Sequence, residues 1–508
     1  MLRYIPFKSS TRLSILNKRL FATNYPEKNP KQPQQKDIPP HKDGLYFGKF
    51  TKQEYEEAAK IVKQQIQKLE QDIKGDHNLR ENIGKIAQFP EQGPSPKQIT
   101  NLTDFFRQTI KLTGAIPLSA YMRQCLTHPD FGYYTTRDPL NLKTGDFITS
   151  PEISSIFGEM IGVWYYNLWQ LQEQPTTIRF IEFGPGKGTL IYDVMNTFNK
   201  FVRSVSTVKP NIEILMIEAS KVLRMEQYKK LCNETQAFET TDEGHNTSVT
   251  KWGNSIKWID TEKAITQESD VTNYIIAHEF FDALPIKSFI KQEDGWRELV
   301  VEHTPSVNND QLKLETKQEH QNDPSLDTEF HLSISPKETP SSMIPKISAR
   351  YKDLPVGSRI EICTEAELFI MKIAQLINNK TGAALIIDYG VVNEIPENSL
   401  RGIYKHKFVS PFYKPGEVDL SIDVDFTNLK NLTENLVEIQ GPVTQGEWLH
   451  NIGIGYRIDS LLKQNSDNEE LQDKIYGAYK RLVDDEEMGK VYKFMALLPK
   501  GTAKTIGF

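Results

Sequence analysis

Short apolar runs alternate with segments of helical periodicity along much of this 508-residue chain. Continuous apolar runs of this length are typical of strands that are buried on both faces of a parallel sheet. The predicted strands are the run IRFIEF from residue 178 and the runs 212–217, 256–259, 274–277, 384–387 and 491–498. Helical periodicity at 223–231 and 366–377 separates several of them. The alternation predicts a doubly wound α/β sheet, and we expect the last run to be the antiparallel strand that closes it.

A helical region precedes the first strand. Helices are predicted at 102–112 and 118–126, and Ser150 is predicted to cap a third helix that has a proline at its first position. Gly158 and Gly162 lie four residues apart on that helix, which predicts that another element packs closely against it. We expect this region to cover a ligand bound at the edge of the sheet.

The loop after the first strand carries glycines at every second position, Gly184, Gly186 and Gly188, with Glu182 two residues before them. Glycines permit the sharp turn from a strand into a helix, here predicted to begin at Thr189. A dinucleotide fingerprint reads G-x-G-x-x-G, whereas here the third glycine comes one position early. S-adenosylmethionine fits this loop better than a dinucleotide. It has no pyrophosphate that needs the helix N-terminus, and it carries an ammonium and a sulfonium that Glu182 can attract.

Glu218 follows the next strand, 212–217. At this position a doubly wound fold places a carboxylate that accepts hydrogen bonds from both ribose hydroxyls. A lone glycine-rich loop is more often an ordinary tight turn, but a loop flanked by two acidic strand ends favours a cofactor site. The predicted cofactor-binding residues are Glu182, Gly184, Gly186, Gly188 and Glu218.

The strand that ends at Ala277 opens into HEFFDALP, in which Glu279 and Asp282 flank two phenylalanines. Ligands of open α/β sheets bind at the carboxyl ends of strands, and two carboxylates beside aromatic rings suit a cation such as a guanidinium. A guanidinium becomes a useful nucleophile when carboxylates localise its charge and accept a proton. Glu279 is the leading candidate for that base. Asp282 is equally compatible with catalysis and with capping a following helix.

A further segment, 400–426, mixes aromatic and acidic residues with His406 and follows the strand that ends in DYG. We expect it to form a wall of the substrate site. A buried histidine with satisfied hydrogen bonds is commoner than a catalytic one, but this position makes His406 a third catalytic candidate beside Glu279 and Asp282.

Composition excludes several classes of protein. The 61 basic and 67 acidic residues give a formal net charge of −6, so the whole chain has no electrostatic footprint for nucleic acid or an anionic membrane. Cys125, Cys232 and Cys363 form no C-x-x-C pair, which indicates neither a zinc site nor a disulfide framework, and no metal is predicted. No apolar stretch has the length of a transmembrane helix.

The first residues differ in composition from the rest of the chain. Arginine and lysine alternate with apolar residues, and the first acidic residue is Glu27, which predicts a mitochondrial transit peptide at 1–21. A disordered basic tail is the alternative. Beyond it we predict a linker and an appended helix at 22–96, a helical part of the body at 97–177 and the core at 178–508. The core carries a polar insertion of loose structure at about 302–348.

Seven motifs, in chain order, extend from about Asp104 to the carboxyl end: GYY, GDFITSPEIS, EFGPGKGTL, HEFFDALPI, LIIDYG, PGEVDLSIDVDF and VTQGEWL. Together they closely resemble the MidA-like family, the group of mitochondrial protein arginine methyltransferases that act as complex I assembly factors. The resemblance implies a class I, Rossmann-like S-adenosylmethionine-dependent methyltransferase sheet with a helical N-terminal extension. It also implies symmetric dimethylation of an arginine in a matrix-arm subunit of complex I, inside the mitochondrial matrix.

One residue departs from the family pattern. His278 stands where the family usually has asparagine, so the role of that position is open, although an imidazole can still donate a hydrogen bond. Two other functions stay open beside arginine methylation: methyl transfer to a small molecule or RNA, and a non-catalytic assembly chaperone with the same fold. The intact glycine loop and Glu218 argue against an inactive site.

Overall fold

The structure of the protein is a computed structural model that describes residues 45–46, 50–51, 60, 99–136, 149–266, 268, 270–304, 328–377 and 380–508. The predicted transit peptide and nearly all of the predicted linker and helix at 22–96 lie outside these residues.

The described helices are α1 (Leu102–Thr113), α2 (Leu118–Thr127), α3 (Tyr133–Thr136), α4 (Ser150–Ile153), α5 (Ser155–Leu171), α6 (Thr189–Val205), α7 (Lys221–Leu231), α8 (Met343–Ile347), α9 (Thr364–Leu376), α10 (Phe426–Thr433), α11 (Gln445–Ile452), α12 (Ile454–Gln464), α13 (Glu469–Val483) and α14 (Met488–Val491). The described strands are β1 (Leu45–Tyr46), β2 (Phe50–Thr51), β3 (Ile116–Pro117), β4 (Thr177–Phe183), β5 (Asn211–Ile217), β6 (Glu239–Thr240), β7 (Asn246–Val249), β8 (Ser255–Ile259), β9 (Thr272–His278), β10 (Lys287–Gln292), β11 (Gly295–His303), β12 (Phe330–Ile334), β13 (Arg359–Ile362), β14 (Ala383–Val391), β15 (Arg401–Tyr404), β16 (Lys407–Val409), β17 (Asp419–Ser421), β18 (Val424–Asp425), β19 (Glu438–Thr444) and β20 (Tyr492–Leu498).

A ten-stranded sheet forms the centre of the protein, in the order β19-β20-β14-β9-β4-β5-β8-β7-β6, with β18 beside β14. Strands β8, β5, β4, β9 and β14 are parallel neighbours, and β20 runs antiparallel to β14. The predicted doubly wound sheet with an antiparallel last strand is therefore confirmed. The strand order reverses around β4, and the carboxyl ends of β4, β5, β9 and β14 meet at one edge.

Strand β4 shows why the sequence of this sheet reads as continuous apolar runs. Ile178 and Phe180 belong to a core that α5 and α6 cover, whereas Ile181 and Phe183 belong to a core on the other face, which α9 and α10 cover. Successive side chains of a strand point to opposite faces, so a strand with a core on each side must be apolar throughout.

Helices α5 and α6 pack at close range, as the two glycines predict. A Cβ atom on Gly158 would lie 2.5 Å from the Cβ of Asp193, and one on Gly162 would lie 2.8 Å from the Cβ of Thr197. Any larger residue at these two positions would push the helices apart.

The predicted cap at Ser150 is wrong. Ser150 is the first residue of the short helix α4, and a break at Ser154 separates α4 from α5. The hydroxyl of Ser154 accepts a hydrogen bond from the backbone N–H of Ile156 at 3.3 Å, so Ser154 is the cap of the long helix.

A second sheet lies beside the first, in the order β12-β11-β10-β13 with β3 paired to β11. Strands β10 and β11 form a hairpin in this sheet, and α1 and α2 pack against it. The predicted loose insertion at 302–348 is wrong for residues 328–348. Strand β12 pairs with β11 and buries Phe330 and Leu332, because apolar residues interrupt the polar composition there. None of the helices in the described ranges is long and apolar enough to cross a membrane.

Candidate active site

A cavity of about 520 Å³ lies at the edge where the carboxyl ends of the parallel strands meet. This volume is typical of a site for a small molecule. Residues of α2, α3 and α4 line the cavity together with the strand ends, so the helical region does contribute to the site. The strand-end residues in the lining are Glu182, Gly184, Gly186, Glu218, His278, Glu279, Asp282 and Tyr389.

The glycine loop forms the floor beside β4. Gly184, Gly186 and Gly188 have φ values of +62°, +51° and +74°, a region that residues with a side chain rarely adopt. The side-chain amide of Gln227 donates to the carbonyl of Gly186 at 2.6 Å and so ties the loop to α7. Helix α6 begins at Thr189, as predicted, directly after the last of these glycines.

Glu182 is a buried carboxylate with one oxygen that lacks a hydrogen-bond partner among the described residues. Its side chain lines the cavity, the residue is 3% exposed, and its Oε2 atom has no hydrogen-bond partner among the described residues. Burial raises its pKa to about 8. A buried carboxylate oxygen without a partner is costly unless a cation or donor arrives, so this residue fits a positively charged ligand group.

Glu218 marks the other side of the loop. It is 1% exposed, and its Oε1 accepts a hydrogen bond from the backbone N–H of Ser220 at 2.7 Å while Oε2 accepts one from Gln227 at 3.3 Å. Burial raises its pKa to about 7, against the lowering effect of these hydrogen bonds. The remaining acceptor capacity of this carboxylate suits the hydroxyls of a ribose. The loop, Glu182 and Glu218 thus fit S-adenosylmethionine.

Glu279 directly follows β9, which is the neighbour of β4 on the side away from β5 and Glu218. Its φ of +47° is unusual for a residue with a side chain, and its backbone N–H is held by the carbonyl of Ile387 at 3.0 Å. Its Oε1 accepts a hydrogen bond from the hydroxyl of Tyr492 at 2.8 Å. Burial and the nearby Asp282 raise the pKa of Glu279 to about 8.

Asp282 lies one turn further along and is buried. Its Oδ2 accepts a hydrogen bond from the hydroxyl of Tyr389, whereas Oδ1 has no partner among the described residues. Burial raises its pKa, while Tyr389 and Arg401 act in the opposite direction. The alternative that Asp282 caps a helix is wrong. The chain makes a turn here and enters β10, because Pro285 disfavours a helical conformation at the residue before it.

The segment 400–426 does form a wall of the cavity, through residues of β15, β16, β17 and the chain that follows. The guanidinium of Arg401 lies 4.7 Å from the ring centroid of Tyr389 and pairs with Asp423 at 2.7 Å. His406 does not contribute to this wall. It is exposed at the turn between β15 and β16 and does not line the cavity, so the structure does not bring it together with Glu279 and Asp282.

His278, the residue that departs from the family pattern, is the last residue of β9. Burial lowers its pKa to about 3, so the imidazole is neutral. Its Nε2 lies 3.7 Å from Oε1 of Glu279, beyond hydrogen-bonding distance, and has no partner among the described residues. The ring stacks against Tyr492 at a centroid distance of 6.5 Å. His278 therefore packs beside Glu279 without forming an ion pair with it.

Sequence reasoning missed three side chains: Tyr389 and Tyr492, whose hydroxyls bond Asp282 and Glu279, and Arg401, which lies over the ring of Tyr389. Tyr389 belongs to the DYG strand end, which the pattern did single out, but without a role for the ring. Tyr492 begins the predicted last strand, and nothing in the sequence alone pairs it with Glu279.

The sheet order and the site define a class of protein: a class I methyltransferase whose cofactor is S-adenosylmethionine. A family model described as an S-adenosyl-L-methionine-dependent methyltransferase matches residues 160–443. The chain belongs to this family, the MidA-like family that its motifs resemble, and the predicted fold class and cofactor are confirmed.

Relatives and solved structures agree with this assignment. The mitochondrial protein arginine methyltransferase NDUFAF7 of Xenopus tropicalis is 34% identical over 398 residues, which cover 78% of this chain and 85% of the relative. The same protein of Homo sapiens is 32% identical over 408 residues, or 80% and 85% of the two chains. A Burkholderia thailandensis protein, crystallised with S-adenosyl-homocysteine, shares the fold with a TM-score of 0.59. It is 21% identical, with 80% of this chain and 93% of that chain covered.

Proposed function

We propose that this protein transfers the methyl group of S-adenosylmethionine to an arginine side chain of a protein in the mitochondrial matrix. The finer form of the proposal is symmetric dimethylation of a matrix-arm subunit of complex I, in support of its assembly. The carrying observation is that two buried carboxylates, Glu279 and Asp282, share one cavity with the cofactor residues Glu182 and Glu218. The names of the mitochondrial relatives support the choice of arginine as acceptor.

The cofactor half of the cavity would hold S-adenosylmethionine through three elements. The carboxylate of Glu182 would attract its positive charge, Glu218 would accept from the ribose, and the glycine loop would let the ligand approach the backbone. When bound, this cofactor supplies a methyl group on a sulfonium, which is an electrophile. The protein contributes the position of the acceptor and a group that takes up its proton.

The acidic half of the cavity is built for a cationic acceptor. An arginine guanidinium has a pKa above 12 and arrives charged. Glu279 has a pKa of about 8 before the acceptor binds, and a neighbouring cation favours its ionised form. We therefore assign Glu279 as the base that accepts the proton lost by the guanidinium nitrogen, and Asp282 as the anion that localises the charge on the group.

Mass spectrometry of complex I subunits from cells with and without this protein tests the proposal. We expect a dimethylated arginine in a matrix-arm subunit that is absent when the protein is absent, and that returns with the wild-type chain only. An identical arginine methylation pattern in both cells would contradict methyl transfer to complex I. If Glu279→Gln restored complex I without restoring methylation, the chain would act as an assembly chaperone.

Location is tested separately. The basic segment at 1–21 supports import and removal before Ala22, so we expect the native protein in the matrix fraction to begin near Ala22. Amino-terminal sequencing checks this expectation. An intact Met1 on the cellular pool, or a protein confined to the cytosol, would contradict it.

A further inference from the structure

Two tyrosines lie directly opposite each other in the central sheet. One is on β14, which is parallel to β9, and the other is on β20, its antiparallel neighbour. In the antiparallel pair of β14 and β20, Tyr389 is the register partner of Tyr492. Residues that are opposite in an antiparallel pair have their side chains on the same face of the sheet. The two rings meet edge to face, with centroids 5.4 Å apart and planes at 79°.

Each tyrosine bonds a different carboxylate of the turn after β9. The hydroxyl of Tyr492 donates to Oε1 of Glu279 at 2.8 Å, and the hydroxyl of Tyr389 donates to Oδ2 of Asp282. In both cases one carboxylate oxygen is held by a tyrosine, and Oδ1 of Asp282 has no hydrogen-bond partner among the described residues. A single cross-strand pair thus holds both acids of the acceptor half.

We propose that Tyr492 and Tyr389 are positioning residues of the acceptor site, with Tyr492 setting the protonation of Glu279 and Tyr389 fixing Asp282 as the anion that binds the acceptor cation. The inference rests on the proposed function, because it assigns roles within the same reaction. It adds two side chains to which the sequence motifs assign no role in the site.

The surroundings of the two carboxylates explain why Glu279 and Asp282 are given different roles. The charged and titratable groups that face Glu279 are His278, Asp282, Asp388, Asp419 and Tyr492. His278 is neutral, and Asp282 and Asp419 oppose ionisation of Glu279. Among these five groups, the hydroxyl of Tyr492 is therefore the one that favours the ionised form of Glu279.

Asp282 has additional support. The guanidinium of Arg401 stacks on the ring of Tyr389 and attracts the carboxylate of Asp282, in addition to the hydroxyl bond from Tyr389. A cation and a donor together favour the ionised form of Asp282. Burial raises the pKa of both carboxyl groups, but Asp282 has a tyrosine donor and a cation that oppose this effect, whereas Glu279 has a tyrosine donor alone.

The test of Tyr492 is the pH profile of methyl transfer by the full chain. In Tyr492→Phe, the acid limb of the profile should move up by about one pH unit, since a hydrogen bond to a charged group has been lost. Above the new limb, the rate should return to within about twofold of wild type. A merely structural role would lower the rate by the same factor at every pH, and that result would overturn the proposal.

A titration that does not depend on activity separates the two hypotheses. Infrared difference spectra between wild type and Glu279→Gln report the carboxyl band of Glu279, and its midpoint should rise by the same amount in Tyr492→Phe. If this shift appears while wild type methylates no arginine, the proposed function fails and the role of Tyr492 stands. If arginine is methylated but the midpoint does not move, the inference fails.

Tyr274→Phe is the matched control. Tyr274 is on the same strand as His278, near its other end, and its hydroxyl donates to Gln172 at 3.0 Å, outside the cavity. Its removal should leave the acid limb in place.

Tyr389→Phe should raise the KM for the acceptor about tenfold with a smaller change in kcat, whereas an unchanged KM would overturn the role of Tyr389. Calorimetry with S-adenosylhomocysteine should give wild-type affinity for all three variants.

Discussion

The carboxylate of Asp388 accepts a hydrogen bond from the backbone N–H of Asp282 at 3.3 Å. The same oxygen, Oδ2, accepts another from the backbone N–H of Phe281 at 3.0 Å. Asp388 is fully buried on β14, so these bonds join the turn after β9 to the neighbouring strand. The acidic turn therefore owes its position to a carboxylate that does not itself line the cavity.

Asp388→Ala should destabilise the fold by on the order of 2 kcal/mol, because it leaves two buried N–H groups without an acceptor. The loss should appear as a lower midpoint of urea unfolding, and methyl transfer should fall with it as the turn loosens. Asp353→Ala, a change of the same kind at an exposed position, serves as the control. An unchanged midpoint for Asp388→Ala would show that the turn is held by other contacts.

Gly186→Val should abolish cofactor binding. Gly186 has a φ of +51°, which a β-branched residue resists, and the new side chain would fill space that the methionine part of the ligand needs. Gly253→Val is a matched control, since Gly253 has a φ of +88° but open space around it. Calorimetric titration with S-adenosylhomocysteine decides the matter. Wild-type affinity in a folded Gly186→Val variant would remove the loop from the cofactor site.

Glu182 predicts a pH dependence of cofactor affinity. Its pKa is raised to about 8 in the free protein, so a cationic ligand must bind together with loss of a proton. Affinity for S-adenosylmethionine should therefore rise between pH 6 and pH 8, by up to about tenfold per pH unit for each such carboxylate. Glu218, with a pKa of about 7, adds its own share.

In Glu182→Gln, the part of this pH dependence that Glu182 causes should disappear, while Glu226→Gln, an exposed change on α7, should keep it. The free energy of unfolding depends on pH with the opposite sign. A carboxyl with a raised folded pKa contributes stability below its unfolded pKa of 4.5, and this contribution is lost as pH rises to about 8. A slope of affinity that is equal in wild type and Glu182→Gln would exclude Glu182 as the partner of the cation.

The strand ends of this fold could be predicted because strands that are buried on both faces appear in the sequence as continuous apolar runs. Once parallel strands are placed, their carboxyl ends must meet, so the sequence alone predicts that Glu182, Glu218 and Glu279 lie at one edge. The roles of Tyr389 and Tyr492 could not. Their pairing depends on the register between β14 and β20, which local sequence does not specify.

Loops were predicted less well, because local sequence also does not specify which side chains of a loop face the cavity. The segment 400–426 was expected near the site and does line the cavity, but which side chains face inward depends on one tight turn. Lys405 and His406 occupy that turn with φ values of +51° and +62°, and this directs the chain so that Ile403 and Phe408 line the cavity instead. That histidine is a common catalytic residue does not predict whether such a turn directs its side chain into the cavity.

His406→Asn should therefore leave methyl transfer and stability close to wild type, within about 0.5 kcal/mol. Asparagine is the appropriate replacement, because it tolerates the left-handed conformation that His406 adopts. Steady-state rates and the urea midpoint measure both quantities. A large fall in kcat without loss of stability would restore His406 as a catalytic candidate.

Glu279→Gln should keep cofactor binding and lose most methyl transfer. The amide preserves the size of the side chain and can still accept a hydrogen bond from Tyr492, but it can neither attract the guanidinium as an anion nor take up its proton. General-base contributions are typically on the order of a hundred- to ten-thousand-fold, so the deficit should be plain in a single-turnover assay. Calorimetry with S-adenosylhomocysteine is the control for an intact cofactor half. If Glu279→Gln methylates a complex I subunit at nearly the wild-type rate, Glu279 is structural, and Asp282 becomes the candidate base because it is the other cavity-lining carboxylate of the same turn.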